Sequence, residues 1–335
     1  MNWNVLVTAS PLMDPVGEKA HGQLTAGGFH LVRSPRWGPL SAAELEPLLT
    51  GMDAVYASVD KYTADVLASP AAARLKIISR WGVGYDSIDI PAATREGIVV
   101  AYTPGLLNEA VADYAMSLLF ALARRVHEGH QTLRTGAWKP TWGHDIGGKT
   151  LGLIGCGRIG QAVAKRASGF DMELLAYDPE PHPEAQRLGV RFVSLEELLA
   201  QSDFVSLHAA LTPETRGLMG AAQLRQMKPS AYLINTSRGA LLDEAALVRA
   251  LREGWIAGAA LDAFITEPLP PEHPFIHVPN ILITPHQASF GFDTGARVSE
   301  AAAVALIAVK AGLRPKWVVN PDVFDSSALR MTLSL

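Results

Sequence analysis

The sequence predicts an α/β protein with two domains, each built around a parallel β-sheet with helices on both faces. Short runs rich in β-branched residues alternate with helical patterns along most of the chain, which is typical of parallel sheets. The length of 335 residues is enough for two domains of ordinary size. A hydrophobic content of 48% with 19% charged residues indicates well-packed globular cores.

The first series of predicted strands lies in the first hundred residues, with helical segments between them. Five runs fit short buried strands: Asn4–Thr8, His30–Arg33, Ala54–Ala57, Lys76–Ser79 and Ile98–Ala101. Ser41 with Glu44 three positions later predicts a capping box at the start of one helix, because each side chain can satisfy a free backbone amide of the other residue.

A second series of strands begins near residue 150. Six runs belong to it: Thr150–Gly155, Leu174–Asp178, Phe204–His208, Ala231–Thr236, Ala257–Asp262 and Ile281–Thr284. Ser194 with Glu197 predicts a capped helix in this series, and Asp243 and Gly254 are typical start and stop signals of another.

The end of the chain is predicted to return to the first domain. A helical pattern runs from about Ala296 to Val309 after the last predicted strand, and Gly312 and Pro315 follow it as stop signals. We expect this helix to share a core with the first series of strands. The prediction is therefore a substrate-binding domain of residues 1–103 plus 292–335 and a cofactor-binding domain of residues 104–291.

Charge and composition argue against several classes of function. The formal net charge is −4, and no basic block or acidic tail stands out, so we expect no nucleic-acid or membrane partner. The only cysteine, Cys156, excludes an internal disulfide and fits a reducing cytoplasm. The first residues lack the pattern of a signal peptide, and the histidines lack metal-ligand spacing. A cytoplasmic protein without a metal is expected.

A glycine-rich motif follows the first strand of the second series. Gly155, Gly157 and Gly160 form G-x-G-x-x-G between a predicted buried strand and a predicted helix. The first glycine allows a tight turn, the second lets the backbone approach a diphosphate, and the third permits close packing of the helix on the strand. The positive end of the helix stabilises the phosphate charge. This context predicts a Rossmann dinucleotide site.

The next predicted strand supplies the acidic residue that such a site needs. Asp178 lies 18 positions after Gly160, close to the usual spacing. Its carboxylate can accept both ribose hydroxyls and would repel a 2′-phosphate, so NAD is predicted in preference to NADP. Arg158 and Ile159, within the motif at the helix start, are also predicted cofactor contacts. Cys156 is interpreted as a packing residue beneath the loop.

Three residues with acid, base or cationic side chains follow strands of the second series. They are Arg238, Glu267 and His286. The carboxyl ends of parallel strands face the ligand crevice of an open sheet, so these side chains could act on one ligand. Reduction of a 2-oxo acid needs a cation for the carboxylate and ketone, a proton donor, and a group that tunes the donor. Spacing alone is only suggestive, since an isolated arginine, glutamate or histidine at a strand end is more often structural.

Several motifs together resemble the D-isomer-specific 2-hydroxyacid dehydrogenase family, which includes D-lactate, D-3-phosphoglycerate and glyoxylate/hydroxypyruvate dehydrogenases. The likeness extends from about Ala54 to Asn320. The motifs that carry it are Leu151–Gly160, Val205–His208, Asn235–Gly239, Ala260–Phe264, Glu267-Pro268 and Thr284–His286. The resemblance implies two Rossmann-like or flavodoxin-like domains with the active site in the cleft between them. It also implies hydride transfer between NAD(H) and C2 of a small D-2-hydroxy or 2-oxo acid.

The resemblance assigns roles to the catalytic candidates. It implies Arg238 as the substrate-binding arginine, His286 as the general acid/base, and Glu267 as the partner of the histidine. Arg238 and His286 would also contact the cofactor, beside Thr236 and Ser237 at the nicotinamide ribose. Asp262 would support the nicotinamide.

Further family positions lie in the first domain and at the crossover between domains. The segment 80–86 resembles the loop whose backbone amides, here those of Val83 and Gly84, bind the substrate carboxylate, and Arg80 begins it. Asn108 matches a position near the active site. With these residues the predicted substrate-binding set is Arg80, Val83, Gly84, Asn108 and Arg238.

Some residues depart from the family pattern or bear on partners. Gln287, Ala288 and Ser289 follow His286, where many relatives have Ile-Gly-Gly. Ala57 stands where phosphoglycerate-using relatives commonly have an arginine, and Asp60 is expected to repel a phosphate, although Lys61 retains one positive charge.

Trp138 and Trp142 lie in a segment that forms a dimer contact in relatives, so a homodimer through the cofactor-binding domain is expected.

The choice of substrate stays open at this point. D-3-Phosphoglycerate dehydrogenase and hydroxypyruvate/glyoxylate reductase are the alternatives within the family. An NAD(H)-sensing binding protein is the alternative from a different class, since transcriptional co-repressors resemble this fold and keep the same three residues.

Overall fold

The structure is a computed structural model that describes residues 2–334, and it contains two parallel sheets. Its strands are β1 (Trp3–Val7), β2 (Phe29–Arg33), β3 (Ala54–Ala57), β4 (Ile77–Arg80), β5 (Val99–Ala101), β6 (Thr150–Ile154), β7 (Glu173–Tyr177), β8 (Arg191–Phe192), β9 (Phe204–Leu207), β10 (Tyr232–Asn235), β11 (Gly258–Leu261) and β12 (Ile281–Ile283). All of the predicted strands are present, and their ends differ from the predicted ends by at most one residue.

The helices alternate with these strands. They are α1 (Glu18–Ala26), α2 (Ala42–Leu48), α3 (Ala64–Ala68), α4 (Ile90–Arg95), α5 (Asn108–Ala123), α6 (Val126–Arg134), α7 (Arg158–Ser168), α8 (Pro183–Arg187), α9 (Leu195–Gln201), α10 (Ala221–Gln226), α11 (Glu244–Glu253) and α12 (Phe292–Lys310). Short 3-10 helices occur at Ser10–Leu12, Pro15–Gly17, Pro70–Ala72, Gly239–Leu241, Pro274–His277 and Pro321–Asp325. Within residues 2–334, no helix is both long and apolar enough to cross a membrane.

The chain forms two compact units. Unit 1 contains the residues up to Leu107 and those from Phe290 onward, and unit 2 is Asn108–Ser289. The boundaries predicted from the sequence lie within a few residues of these positions. The first boundary falls at Asn108 because this residue begins α5, which packs on α7 of unit 2.

The sheet of unit 1 has the strand order β2-β1-β3-β4-β5 and is parallel throughout. This order is that of flavodoxin-like doubly wound sheets. Every residue of β3, β4 and β5 is buried, as expected for parallel strands covered on both faces. Arg80 is the last residue of β4 and pairs with Ala57 of β3. The carboxyl ends of these strands therefore lead directly into the segment predicted to bind substrate.

The helix α12 packs on the sheet of unit 1, although it begins about four residues before the predicted start. Exposed Phe292 and the nearby Gly295 interrupt the apolar period there. Ser79 Oγ donates to Ala302 O of α12 at 2.8 Å. Farther along, Asn320 accepts the amide of Val100 at 2.9 Å, which fixes the C-terminal segment to β5.

The sheet of unit 2 has the order β12-β11-β10-β9-β6-β7-β8 and is also parallel. The chain starts at the central strand β6, builds one side, and returns to pair β9 with the other edge of β6. Ligands of such sheets bind at this switch point, beyond the carboxyl ends of the two strands. The two-residue strand β8 was not predicted, because it is too short to show a period of two.

The predicted helix caps of both units are observed. Ser41 and Glu44 form a complete capping box at α2. Ser194 accepts the amide of Glu197 at α9. Asp243 caps α11, and Gly254 ends it in the left-handed conformation with φ +70°.

Candidate active site

The glycine motif forms a tight turn at the switch point of unit 2. Gly155 has φ +90°, and a Cβ there would lie 2.5 Å from Ala209 N. A Cβ on Gly160 would lie 2.4 Å from Gly155 O, so this glycine allows α7 to approach β6 closely. At Gly157 a Cβ would meet nothing within 4 Å. The open side of the turn therefore lies at the glycine where a diphosphate would approach the backbone.

The start of α7 faces the same turn. Gly157 is its N-cap residue and provides no side-chain cap, so the first amides of the helix have no such acceptor. Arg158, the first helical residue, is exposed, and Ile159 packs partly against the core. The uncapped helix start fits the charge and the acceptor oxygens of a diphosphate.

Asp178 is fixed by backbone amides on both carboxylate oxygens. Oδ2 accepts the amide of Cys156 at 2.7 Å, and Oδ1 accepts the amide of Glu180 at 2.9 Å. Each oxygen keeps a further lone pair for a ribose hydroxyl. The Cys156 side chain is buried, and burial, with a smaller effect of the Asp178 charge, raises the pKa of its thiol to about 11. Cys156 is thus a packing residue and not a thiolate.

The segment after β10 brings Thr236, Ser237 and Arg238 to the same edge of the sheet. Ser237 Oγ donates to Ala209 O at 2.7 Å, and Ser237 N donates to Asn235 Oδ1 at 2.9 Å. Thr236 Oγ1 is buried and has no hydrogen-bond partner among residues 2–334. An unpartnered buried hydroxyl is costly, so it fits a site completed by a polar ligand. With Gly157 and Asp178, these residues fit a bound NAD.

His286 and Glu267 form a close pair in unit 2. His286 Nδ1 lies 2.8 Å from Glu267 Oε2, and Glu267 Oε1 accepts the amide of Phe264 at 2.9 Å. Burial alone would raise the pKa of the Glu267 carboxyl. The hydrogen bond and charge of His286, with the Phe264 amide and the Arg238 charge, outweigh burial and hold this pKa below its usual value. An ionised Glu267 therefore faces Nδ1 at neutral pH, which leaves Nε2 as the nitrogen that can exchange a proton with a ligand.

Asp262 holds the turn that carries His286. Its Oδ1 accepts Thr284 Oγ1 at 2.6 Å and the amide of Gln287 at 2.9 Å, and its Oδ2 accepts the amide of Ala288 at 2.8 Å. His286 has φ +50°, a conformation that residues other than glycine rarely adopt. Burial raises the pKa of Asp262 although these hydrogen bonds oppose it. Asp262 thus supports the strained turn, and its contact with a nicotinamide stays a prediction.

Arg238 shares this region with the acid/base pair. Its Nη1 donates to Ser237 O at 2.8 Å, and its own carbonyl accepts Asn235 Nδ2 at 2.9 Å. Its charge is close enough to contribute to the lowered pKa of Glu267. Unit 2 thus brings a cation, a carboxylate and an imidazole together at the carboxyl edge of its sheet, the three groups that reduction of a 2-oxo acid requires.

The other predicted substrate-binding residues lie in or beside unit 1. Among residues 2–334, the amides of Val83 and Gly84 donate to no protein acceptor, so they can donate hydrogen bonds to an anion. Arg80 is only 7% exposed, and its guanidinium donates to carbonyls of its own loop. Asn108 is the first residue of α5 in unit 2 and is half-buried.

The expectation that Asp60 repels a phosphate is wrong, because its carboxylate does not reach the surface. Asp60 is fully buried, where its carboxylate accepts Thr8 Oγ1 at 2.5 Å and the amide of Leu40 at 3.0 Å. Burial raises its pKa, with these hydrogen bonds opposing. It is therefore an internal support of the loops and not a surface charge. Ala57 is buried as well, and Lys61 is exposed.

Sequence reasoning missed three supporting residues. Gln287 Nε2 donates to Tyr114 Oη at 2.7 Å and so ties the His286 turn to α5. In unit 1, the hydroxyls of Thr103 and Ser299 bind the predicted carboxylate loop. Thr103 follows β5, so its place at the carboxyl edge could have been inferred from the topology.

Comparisons with known proteins agree with this geometry. The sequence model described as D-isomer specific 2-hydroxyacid dehydrogenase, NAD binding domain, matches residues 116–288. The chain is 49% identical to the glyoxylate reductase of Korarchaeum cryptofilum over 260 residues, which cover 76% of this chain and 78% of the relative.

Solved structures show the same fold. A protein from Thermus thermophilus superposes with a TM-score of 0.84 at 44% identity, over 94% of this chain and 99% of that one. The apo-structure of D-lactate dehydrogenase from Escherichia coli gives 0.82 at 30% identity, over 95% and 100% of the two chains. This protein therefore belongs to the D-isomer-specific 2-hydroxyacid dehydrogenase family and is an NAD-dependent oxidoreductase of 2-hydroxy acids.

Proposed function

We propose that this enzyme reduces a small, non-phosphorylated 2-oxo acid, glyoxylate or hydroxypyruvate, to the 2-hydroxy acid. The observation that carries the proposal is the 2.8 Å contact between His286 Nδ1 and the ionised Glu267, beside Arg238. The name glyoxylate reductase, carried by the relative that is 49% identical, supports the substrate class. The absence of an arginine at Ala57 supports a substrate without phosphate.

The cofactor would be held along the carboxyl edge of the unit 2 sheet. The amides at the start of α7 would bind the diphosphate, and Asp178 would accept the hydroxyls of the adenosine ribose. The Thr236 hydroxyl and Ser237 would lie at the nicotinamide ribose. When bound, NADH supplies the hydride for C2 of the substrate.

The protein residues supply binding charge and one proton. Arg238 and the amides of Val83 and Gly84 would hold the substrate carboxylate, and Arg238 would also polarise the C2 carbonyl. His286 Nε2 would give its proton to the C2 oxygen, which takes the C–O π electron pair when C2 is reduced. The hydride would supply two electrons and one hydrogen, His286 would supply the second proton, and the imidazole would be left neutral.

Glu267 would stabilise the protonated form of His286, which is the form that reduction needs. Reduction needs the cationic imidazole, and an ionised carboxylate at Nδ1 stabilises that cation. Oxidation of the hydroxy acid needs the neutral imidazole instead. The charge of Glu267 therefore suits the reductive direction.

Two alternatives are weaker on physical grounds. A phosphoglycerate dehydrogenase would need cations for the phosphate. In this region the chain offers exposed Lys61, but it has Ala57 where phosphoglycerate-using relatives commonly have an arginine. An NAD(H)-sensing protein would not require the proton-transfer geometry of His286 and Glu267. Turnover of any 2-oxo acid separates the enzyme from the sensor.

We also propose that the enzyme is a homodimer of the cytoplasm. The segment 126–142 of unit 2 exposes four large apolar side chains: Val126 at 60%, Leu133 at 59%, Trp138 at 88% and Trp142 at 92%. Such a group is typical of a surface that another chain covers. The single, buried and unpaired Cys156 is compatible with a reducing compartment.

The substrate proposal predicts that glyoxylate and hydroxypyruvate outperform phosphohydroxypyruvate in kcat/KM by at least about tenfold, because Ala57 stands where phosphoglycerate-using relatives commonly have an arginine. The measurement is NADH oxidation against a panel of 2-oxo acids varied in size and charge. A higher kcat/KM for the phosphorylated acid would contradict the proposal, and no turnover of any 2-oxo acid would favour the sensor.

For the cofactor, we expect NADH to be preferred over NADPH by at least about tenfold in kcat/KM, or about 1.4 kcal/mol. Asp178→Asn keeps an acceptor for the Cys156 amide but removes the charge, so it should narrow the preference by relieving repulsion of the 2′-phosphate. Asp178→Ala should narrow it too, with weaker binding of both cofactors as the turn loosens. Equal use of the two cofactors by the unmodified enzyme would contradict this assignment.

Replacement of Glu267 should change the pH dependence of reduction. The pKa of Glu267 is lowered, so the carboxylate is charged across the neutral range and stabilises the cation of His286 there. Glu267→Gln removes that charge, and the cation is lost at lower pH. The pH above which reduction fails should therefore fall by about 1–2 units, measured as a pH–rate profile of kcat/KM.

Two variants control this experiment. Glu244→Gln changes another half-buried carboxylate, which accepts the amide of Ile265 at 2.9 Å, and should leave the pH midpoint unchanged. His286→Ala should lower reduction by about 10²–10⁴-fold at every pH. An unshifted profile in Glu267→Gln would show that Glu267 does not tune the histidine.

The homodimer proposal predicts that replacing Trp138 and Trp142 together by alanine weakens self-association, because both side chains are almost fully exposed in one chain. Sedimentation velocity should report twice the chain mass for the unmodified enzyme and a larger monomer fraction for the double variant. Phe292→Ala, which removes an exposed aromatic outside the segment, should remain dimeric. A monomeric unmodified enzyme would refute the proposal.

A further inference from the structure

We propose that Arg80 is a positioning residue, which shapes the loop of residues 81–84 so that the amides of Val83 and Gly84 can bind the substrate carboxylate. This inference rests on the proposed role of those amides. It replaces the direct substrate contact that the sequence suggested for Arg80. The argument concerns unit 1 alone.

The guanidinium of Arg80 joins the two ends of the loop. Its Nη1 donates to Trp81 O, and its Nε donates to Gly84 O at 3.0 Å. Both contacts are charge-assisted and come from one rigid planar group. A single side chain thus fixes the direction of the carbonyls that lie before and after the two binding amides.

Gly82 shows that the loop is fitted closely around this guanidinium. Its φ is +134°, and a Cβ there would lie 3.0 Å from Arg80 Nη1 and 3.2 Å from Cζ. Any larger residue would need both an unfavourable backbone conformation and a displaced guanidinium. The position of the Arg80 guanidinium therefore requires a glycine at residue 82.

Thr103 fixes the remaining peptide from another side. Its Oγ1 accepts the amide of Gly82 and donates to Gly82 O, each at 3.1 Å, and its backbone amide donates to the same carbonyl at 3.0 Å. A trans peptide is planar, so the carbonyl of Gly82 and the amide of Val83 point in opposite directions. Holding Gly82 O on Thr103 therefore turns the Val83 amide away from Thr103. This amide and that of Gly84 have no acceptor within residues 2–334.

Trp81 anchors the start of the loop to the rest of unit 1. Its backbone amide donates to Ala57 O at 2.9 Å, and its indole Nε1 donates to Ser299 Oγ of α12 at 3.0 Å. Phe290 packs against the indole with ring centres 5.3 Å apart. The base of the loop is thus fixed, and the orientation of its tip depends on Arg80 and Thr103.

The burial of Arg80 agrees with an internal role. The residue is 7% exposed, and its charge acts on fully buried Asp60, where it opposes the rise in pKa that burial causes. Asp60 in turn binds Thr8 and the amide of Leu40. The charge of Arg80 thus acts on a buried group of unit 1, and two of its N–H groups are directed to loop carbonyls.

The first experiment separates the shape of the guanidinium from its charge. Arg80→Lys keeps a positive charge but cannot bridge two carbonyls, so KM for the 2-oxo acid should rise about 10–100-fold, with a smaller fall in kcat. The dissociation constant for NADH should change less than about twofold. Arg74→Lys, the same change at an arginine of unit 1 that pairs with Asp53, should leave KM within about twofold.

A double-mutant cycle tests whether Arg80 acts through the loop. Thr103→Val removes the hydroxyl at nearly constant volume and should also raise KM, whereas Thr103→Ser keeps the hydroxyl and should restore most of the affinity. Because Arg80 and Thr103 both bind the peptide between Trp81 and Gly82, the combined Arg80→Lys and Thr103→Val variant should raise KM by less than the product of the two single effects.

The outcomes separate this inference from the proposed function. Unchanged KM in Arg80→Lys would overturn it, as would strictly multiplicative effects in the cycle, which a direct substrate contact predicts. If Arg80→Lys fails to fold, Arg80→Gln takes its place, and an unchanged KM in that variant, measured on folded enzyme, would also overturn the inference. An unmodified enzyme that turns over no 2-oxo acid would instead refute the proposed function.

Discussion

The contact between His286 Nδ1 and Glu267 Oε2, at 2.8 Å, is the interaction on which the proposed chemistry of unit 2 depends. It commits one ring nitrogen to a carboxylate whose pKa is lowered, so the other nitrogen is the one that exchanges protons. The pair needs a fixed backbone, and Asp262 provides it with three hydrogen bonds to the segment around His286. The strained φ of His286 is maintained by this buried carboxylate.

Charged side chains bind backbone groups of a loop in the same way at three places in the chain. Asp178 binds the amide of Cys156 under the glycine turn, Asp262 binds the amides after His286, and Arg80 binds two carbonyls of the carboxylate loop. In each case a charged side chain at a strand end satisfies backbone groups of a loop. Loops at the carboxyl ends of parallel strands have no ladder partners, so such side chains give them a single conformation.

The sequence predicted the strands, the glycine motif and the residues at strand ends because each depends on local pattern. Ser41, Asp243 and Gly254 act locally as caps, and the structure shows them in those roles. The sequence patterns did not predict β8, because two residues are too few to show a period. They also missed the first residues of α12, where an exposed phenylalanine and a glycine interrupt the apolar period. The family could be identified because several motifs occur in order, whereas the individual site roles were carried over by resemblance.

The direction of a side chain at a strand end is a different kind of information, and Asp60 and Arg80 show why sequence did not supply it. Both residues stand beside the predicted substrate loop, where a charge suggests a ligand contact. Both are buried instead, because the loops around them present amides and carbonyls inward. At Arg80 this inward direction depends on φ +134° at Gly82 and on Thr103, which follows β5 and binds the peptide groups of Gly82. A charge at a strand end therefore identifies a ligand contact only when the peptide directions of its loop are known, and these are properties of the assembled sheet.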